Sequence, residues 1–327
     1  MKLTTLFVPT DSSTDKPGES GHVEKAFARH ETFHPRYGWL KKGFDAAVAD
    51  PAVFHRHDAP VVLGVGKNMV RAIRYWSVAF KILDEYPNPE RPRVNNVKPS
   101  GLGLALLDRD AWDPYLEHPG SLWLLHWQLL RPVSSAPAWY YAFNLLRSID
   151  FTDHELTEEL KIFRDAHTGW DRIVDRSLKR DVDCIIRMYA ADADRTRFRE
   201  DSIDSPFSEL RLMAPTSGDR RHLRFNLGAK DNLPDAVVAY AALDYLTLAG
   251  HQASTISLRR LTHDVGSPGR AFKLPESVIR THLEAHADHQ AGLAVTDPAG
   301  IGQLIVDGDP ELLAAEALDR MYRSDRP

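Results

Sequence analysis

Cysteine is almost missing from this chain, with one residue, Cys184, in 327. An intrachain disulfide and a zinc ribbon are therefore excluded, which suits a reducing compartment, and Cys184 is expected as a small buried apolar group. Long apolar runs are missing too. No stretch of eighteen or more apolar residues occurs, and Met1–Pro9 lacks a signal-peptide core before the polar stretch Thr10–Gly21, so a cytoplasmic protein without membrane spans is expected. Positive charge is also in short supply: 41 Lys and Arg stand against 46 Asp and Glu, a net charge of -5. That excludes a protein whose whole surface grips nucleic acid, because affinity for phosphate needs concentrated cations. Any such binding must come from local clusters.

The remaining composition, 43% hydrophobic and 27% charged, is that of an ordinary globular chain with room for two or three domains. Three basic clusters occur, at Arg36–Lys42, Lys67–Arg74 and Arg259–Arg280. Gly66–Leu83 carries the clearest helical pattern, with Met69, Ile73, Trp76 and Phe80 on one face and Lys67, Arg71 and Arg74 opposite. Two similar phrases, PSGLGLALL at Pro99–Leu107 and PAGIGQLIV at Pro298–Val306, each follow a basic helical stretch and read as a glycine turn leading into a strand. A helix followed by such a wing is the outline of a winged helix. The expected fold is α+β, mostly helical, with winged-helix-like units near both ends joined by a helical connector. The expected divisions are a flexible N-terminus at 1–22, a DNA-binding unit at 23–135, a connector with an acidic turn region at 136–235 and a second unit at 236–327.

Within that scheme the candidate DNA contacts are Arg36, Lys41, Lys42, Lys67, Asn68, Arg71 and Arg74 in the first unit and Arg270, Lys273 and Arg280 in the second. The first unit, with more cations on its helix, is expected to bind more strongly. Trp112, Trp123 and Trp127 sit among leucines and read as core. In the connector, Ser177–Tyr189 is amphipathic, and Thr152 with Glu155 three positions later spells a capping box.

Candidate chemistry is sparser. The GVGKN segment lacks the spacing of a phosphate-binding loop, and Asn68 stands where such a loop has its magnesium-binding hydroxyl, so no nucleotide cofactor is expected. His30, Glu31 and His34 spell HExxH, which offers either a general base beside a carboxylate or two zinc ligands of a metalloprotease; the second use requires an uninterrupted helix, which Pro35 disfavours. Glu200, Asp201 and Asp204, with Glu209 beyond Pro206, form an acidic patch suited to Mg2+ and phosphodiester hydrolysis or, more simply, to a turn. The metal ligands themselves are not identified by spacing.

The phrases HETFHPRYGWLKKGF (His30–Phe44), LGVGKNMVRAIRYW (Leu63–Trp76), DPYLEHPGSLWLLHWQLL (Asp113–Leu130) and SPGRAFKL (Ser267–Leu274) resemble the SspB family of bacterial DNA phosphorothioation systems. The resemblance runs from Phe27 almost to the C-terminus. It implies double-stranded DNA as the partner, nicking of one strand to allow sulfur incorporation, and work beside a cysteine desulfurase, an ATPase and a sulfur-transferring component. It does not designate catalytic residues; His30 and Glu31, or Glu200, Asp201 and Asp204, are the candidates. A non-catalytic DNA-binding adaptor and a zinc metalloprotease through His30, Glu31 and His34 are the alternatives, and a homodimer is the expected assembly.

Overall fold

Helix-forming segments in this chain are bounded by prolines and by short polar caps, and the elements start and stop where that punctuation falls. The computed structural model describes residues 22–190, 205–216, 219–250 and 254–324. The first elements are α1 (Trp39–Ala49), α2 (Ala59–Leu63) and α3 (Lys67–Ala79), followed by the antiparallel hairpin β1 (Leu83–Pro87) and β2 (Asn95–Pro99). α3 buries Ile73 and Trp76 of the predicted face, with Phe80 buried just beyond its end, together with Val70, Ala72, Ser77 and Ala79, while Met69 is half-buried. The chain then forms α4 (Gly101–Leu107), α5 (Pro119–Leu130) and α6 (Pro137–Tyr140).

A second group comprises β3 (Asp150–Thr152), α7 (Asp153–Asp165), α8 (Asp175–Tyr189), β4 (Met213–Thr216) and β5 (Asp219–Phe225), with sheet order β3-β5-β4. After α9 (Asp235–Leu248), a third group repeats that order: β6 (Thr255–Ser257), α10 (Leu258–His263), α11 (Pro268–Phe272), α12 (Glu276–Ala287), β7 (Leu293–Thr296) and β8 (Gln303–Val306) make a sheet of order β6-β8-β7. In both three-stranded sheets the first strand ends in a hydroxyl residue that caps the next helix, Thr152 for α7 and Ser257 for α10. Thr152 and Glu155 form the expected capping box. α13 (Pro310–Ser324) closes the chain against α9.

The two similar glycine phrases have different structures. At Pro298–Val306 a turn, with Gly300 at φ 79°, enters strand β8 as expected. At Pro99–Leu107 the expected turn and strand are replaced by α4, whose N-terminus is capped by the Ser100 hydroxyl accepting from Gly103 N–H. Gly103 is small for packing and not for turning: a Cβ there would lie 2.2 Å from the Ile82 carbonyl oxygen. The hairpin beside α3 lies one element earlier, in β1 and β2. Residues 23–38 are also not helical; they form turns, and α1 begins at Trp39 after Gly38 at φ 74°, four residues beyond Pro35.

α5 and α9 hold the centre. Every residue of α5 from Gly120 to Leu130 is buried, as is every residue of α9 from Ala236 to Leu246. A helix apolar all round must lie inside, and its polar groups must be partnered there. His126 Nε2 donates to Ala271 O at 3.0 Å while Nδ1 accepts from the Tyr189 hydroxyl at 2.7 Å. Burial, set against the Ala271 contact, takes its pKa down to about 3, so the ring is neutral. Trp127 Nε1 and Arg131 Nε both donate to Asp244 Oδ2, each at 2.8 Å. Trp123, Trp127 and Trp139 are fully buried, and Trp112 stacks on Tyr322 with centroids 5.1 Å apart. Among the described residues the main hydrophobic core runs from Val23 to Tyr322, with Ala59, Leu63 and Val70 as a small separate cluster.

Candidate functional site

The turns at residues 24–32 form the wall of a charged cleft of about 640 Å³, whose other walls are α3 and the β1–β2 hairpin. The turn side supplies Glu24, Lys25, Arg29 and Glu31, and the facing elements supply Arg71, Arg74, Tyr75 and Glu85. The charges are arranged in pairs. Arg71 Nη1 meets Glu31 Oε1 at 3.2 Å, and Arg74 Nη2 meets Glu85 Oε1 at 2.7 Å. Lys25 Nζ donates to Gly169 O, and Ser135 Oγ donates to Glu24 at 2.7 Å. Such a site presents guanidinium groups to an anion while carboxylates hold them in place.

The wall is strained and firmly held. Ala28, Glu31 and Thr32 all have positive φ, at 54°, 51° and 70°, a backbone region that costs a residue with a side chain about 1–3 kcal/mol. Three tethers sustain it. Ala28 N–H and His30 Nε2 both donate to Asp181 Oδ1 on α8, at 2.9 and 2.7 Å, and Arg187 Nη2 donates to Thr32 O at 2.7 Å. Trp76 Nε1 adds a bond to Phe33 O at 2.9 Å. His30 is wholly buried. Burial opposes charge on its ring, but Cys184 and Asp181 outweigh it and raise the pKa to about 10. Burial also pushes the Asp181 carboxyl up, yet His30 and the Ala28 N–H pull it back, and the pair is an imidazolium against a carboxylate.

On the far side of the same wall lies a second hollow of about 510 Å³, bordered by Thr32, α8, β5 and the start of α7. Lys179, Arg180 and Arg187 come from α8 and Arg221 from β5, with Asp153 and Asp183 as the acids. Glu31 and Thr32, adjacent in sequence, thus border different cavities.

These placements correct several expectations. His30 is removed from solvent and occupied by Asp181, so it cannot serve as a general base for an outside substrate. HExxH lies on turns rather than a helix; His34 Nδ1 sits 3.1 Å from Pro35 O and does not share a helical face with His30, which removes the zinc-protease geometry. Lys273 is buried and donates to Phe143 O at 2.7 Å, with its ammonium 4.0 Å from the Phe225 ring centroid. Burial, aided by Arg270, pushes its pKa down to about 7, so it is a core residue and not a phosphate contact.

The other candidates are at the surface or partly so. Arg71 and Arg74 meet in the first cleft with Glu31, while Lys67 and Asn68 are exposed at the start of α3. Arg36 lies over the Phe33 and Trp39 rings, Lys41 pairs with Asp45, and Lys42 donates to Leu63 O at 2.9 Å. Arg270 Nε donates to His263 O at 3.1 Å, and Arg280 pairs with Asp297 at 2.6 Å. Glu200, Asp201 and Asp204 lie outside the described residues; Glu209 accepts from the Tyr37 hydroxyl. Lys25, Arg29, Glu85 and the α8 cations were not foreseen. Their only signal in the sequence is the basic spacing Lys179, Arg180, Arg187, which reads as a solvated helix face.

Structurally the chain is a mixed α/β protein, largely helical, with three small antiparallel sheets among the described residues and, at the turn wall, a charged cavity on either side. It belongs to the family described as "Protein of unknown function (DUF4007)", whose model matches residues 27–322. It is similar to a protein solved as "SspB crystal structure", at 41% identity and TM-score 0.87, over 94% of this chain and 91% of the other. A "Magnesium ion-bound SspB crystal structure" matches at 40% identity with the same TM-score and coverage. No curated protein matches the chain.

Proposed function

We propose that the chain is an SspB-like component of a DNA phosphorothioation system that binds double-stranded DNA and nicks one strand, opening it for sulfur incorporation. The observation that carries this reading is the likeness to SspB along 94% of the chain, at an identity that extends beyond fold. In this reading α3 with the β1–β2 hairpin, and α12 with β7–β8, are winged-helix-like units, with α3 turned toward the phosphates. Arg71 and Arg74 exchange their carboxylate partners for phosphate oxygens, and Glu31 and Glu85 keep them oriented until then. A cysteine desulfurase, an ATPase and a sulfur-transferring protein are its working partners, and the protein is a cytoplasmic homodimer.

The fit to Mg2+ is poor in the described part of the chain. Among the described residues no three His, Cys, Asp or Glu side chains converge as a metal shell, and Glu31 and Glu85 are taken by arginines. The second reading is a DNA-binding adaptor that recruits the modification enzymes without cutting.

Supercoiled plasmid separates the two. Conversion to the open circle by the purified protein, abolished in Glu31→Ala, supports nicking with Glu31 at the cleft. Salt-dependent retardation of DNA with the plasmid left supercoiled supports the adaptor. Absence of any DNA binding at low salt overturns both.

A further inference from the structure

The second hollow has a charge balance unlike that of the first. Four cations, Lys179, Arg180, Arg187 and Arg221, face two carboxylates, Asp153 and Asp183, in a chain whose net charge is -5. In the first cleft both α3 arginines are already tied to glutamates. On α8, among the described residues, neither Lys179 nor Arg180 is tied to a carboxylate, and Arg187 donates to the carbonyl oxygens of Asp183 and Thr32. Their positive charge is available to a ligand.

The sequence separates these groups and the fold gathers them. Lys179, Asp183 and Arg187 recur at four-residue spacing along one face of α8. Arg221 shares the β5 face of Leu223 and Phe225, both buried, which turns that face toward the protein and carries Arg221 to the rim. A volume of about 510 Å³ takes a nucleotide-sized segment.

We propose that this hollow is a second phosphate-binding site, taking the sugar-phosphate backbone of a DNA strand, with Lys179, Arg180 and Arg187 as phosphate ligands and Arg221 at the rim. The proposal rests on the DNA-binding reading above and extends the contact surface from the terminal units to the middle of the chain. Contacts of this type position the duplex and carry no sequence information.

The test is fluorescence anisotropy of a labelled duplex across a salt series, using the full chain, the double variant Lys179→Ala/Arg180→Ala, and Arg109→Ala as an exposed basic control. Arg187 is left intact because it also tethers Thr32, and equal thermal midpoints confirm that the double variant folds. Weaker binding with a salt slope shallower by about two, roughly 0.9 for each lost phosphate contact, is expected for the double variant only. Unchanged affinity and slope in the double variant, beside an intact wild-type response, overturns this site and leaves the proposed function standing. Failure of the wild type to bind overturns both. Binding of inorganic phosphate that is lost in the double variant while duplex affinity and salt slope stay unchanged also overturns the proposal, by assigning the hollow to a small anion.

Discussion

His30 and Asp181 connect the turn wall to α8 through a bond in which both partners are out of water. Removing one partner leaves a buried charge without compensation, a change that typically costs about 3–5 kcal/mol. Asp181→Ala is therefore expected to lower stability by about that amount, measured by urea unfolding. The pH dependence has a definite sign. The folded pKa of His30, about 10, lies above its ordinary value of 6.5, so its contribution is complete below about pH 6.5 and is lost as pH rises through about 10. The stability gap between wild type and Asp181→Asn should shrink along the same interval. At Lys273 the opposite chemistry gives a different expectation. Its ammonium is buried against Phe143 and Phe225, so Lys273→Met should leave DNA affinity and its salt slope unchanged in anisotropy titrations. A slope reduced by about one would restore it to the DNA surface.

Among the elements, α4 illustrates what the sequence could and could not disclose. Glycine reads locally as a turn residue, and the purpose of Gly103 appears only when Ile82, twenty-one positions earlier, lies against it. Gly103→Ala should cost about 1–3 kcal/mol through overpacking, seen as a lower denaturant midpoint with an unchanged m-value. Elements whose signal is local were legible: α3 and α8 from their apolar periodicity, and α7 from its capping box. The clefts were legible only in part. Arg71 and Arg74 stand out on α3, but Glu31 reaches Arg71 across forty positions and Arg187 reaches Thr32 across 155. Such pairings depend on how elements pack, which no window of sequence contains.

For the molecule as a whole, continuity of the hydrophobic core sets the expected unfolding behaviour. Residues from all three helix-and-sheet groups contribute to one cluster, and α5 and α9 lie between them. Thermal unfolding should be a single transition with equal calorimetric and van't Hoff enthalpies. Two resolved transitions would instead favour separable units along the divisions at 135 and 235. Either result bears on how the two cavities are held, because the wall between them is tied both to α3 and to α8.

The burial of α5 also determines how the protein can be dissected. A helix with no outward face has no side on which solvent could replace a lost neighbour, and α9, α11 and Tyr322 of α13 touch it from later in the chain. A fragment ending before Asp235 would present Trp127, Gln128 and the neighbouring leucines to water, an apolar surface that associates with its own kind. Separate expression of an N-terminal half should therefore yield aggregate, and the working surfaces of this protein are best probed by point substitution within the entire chain.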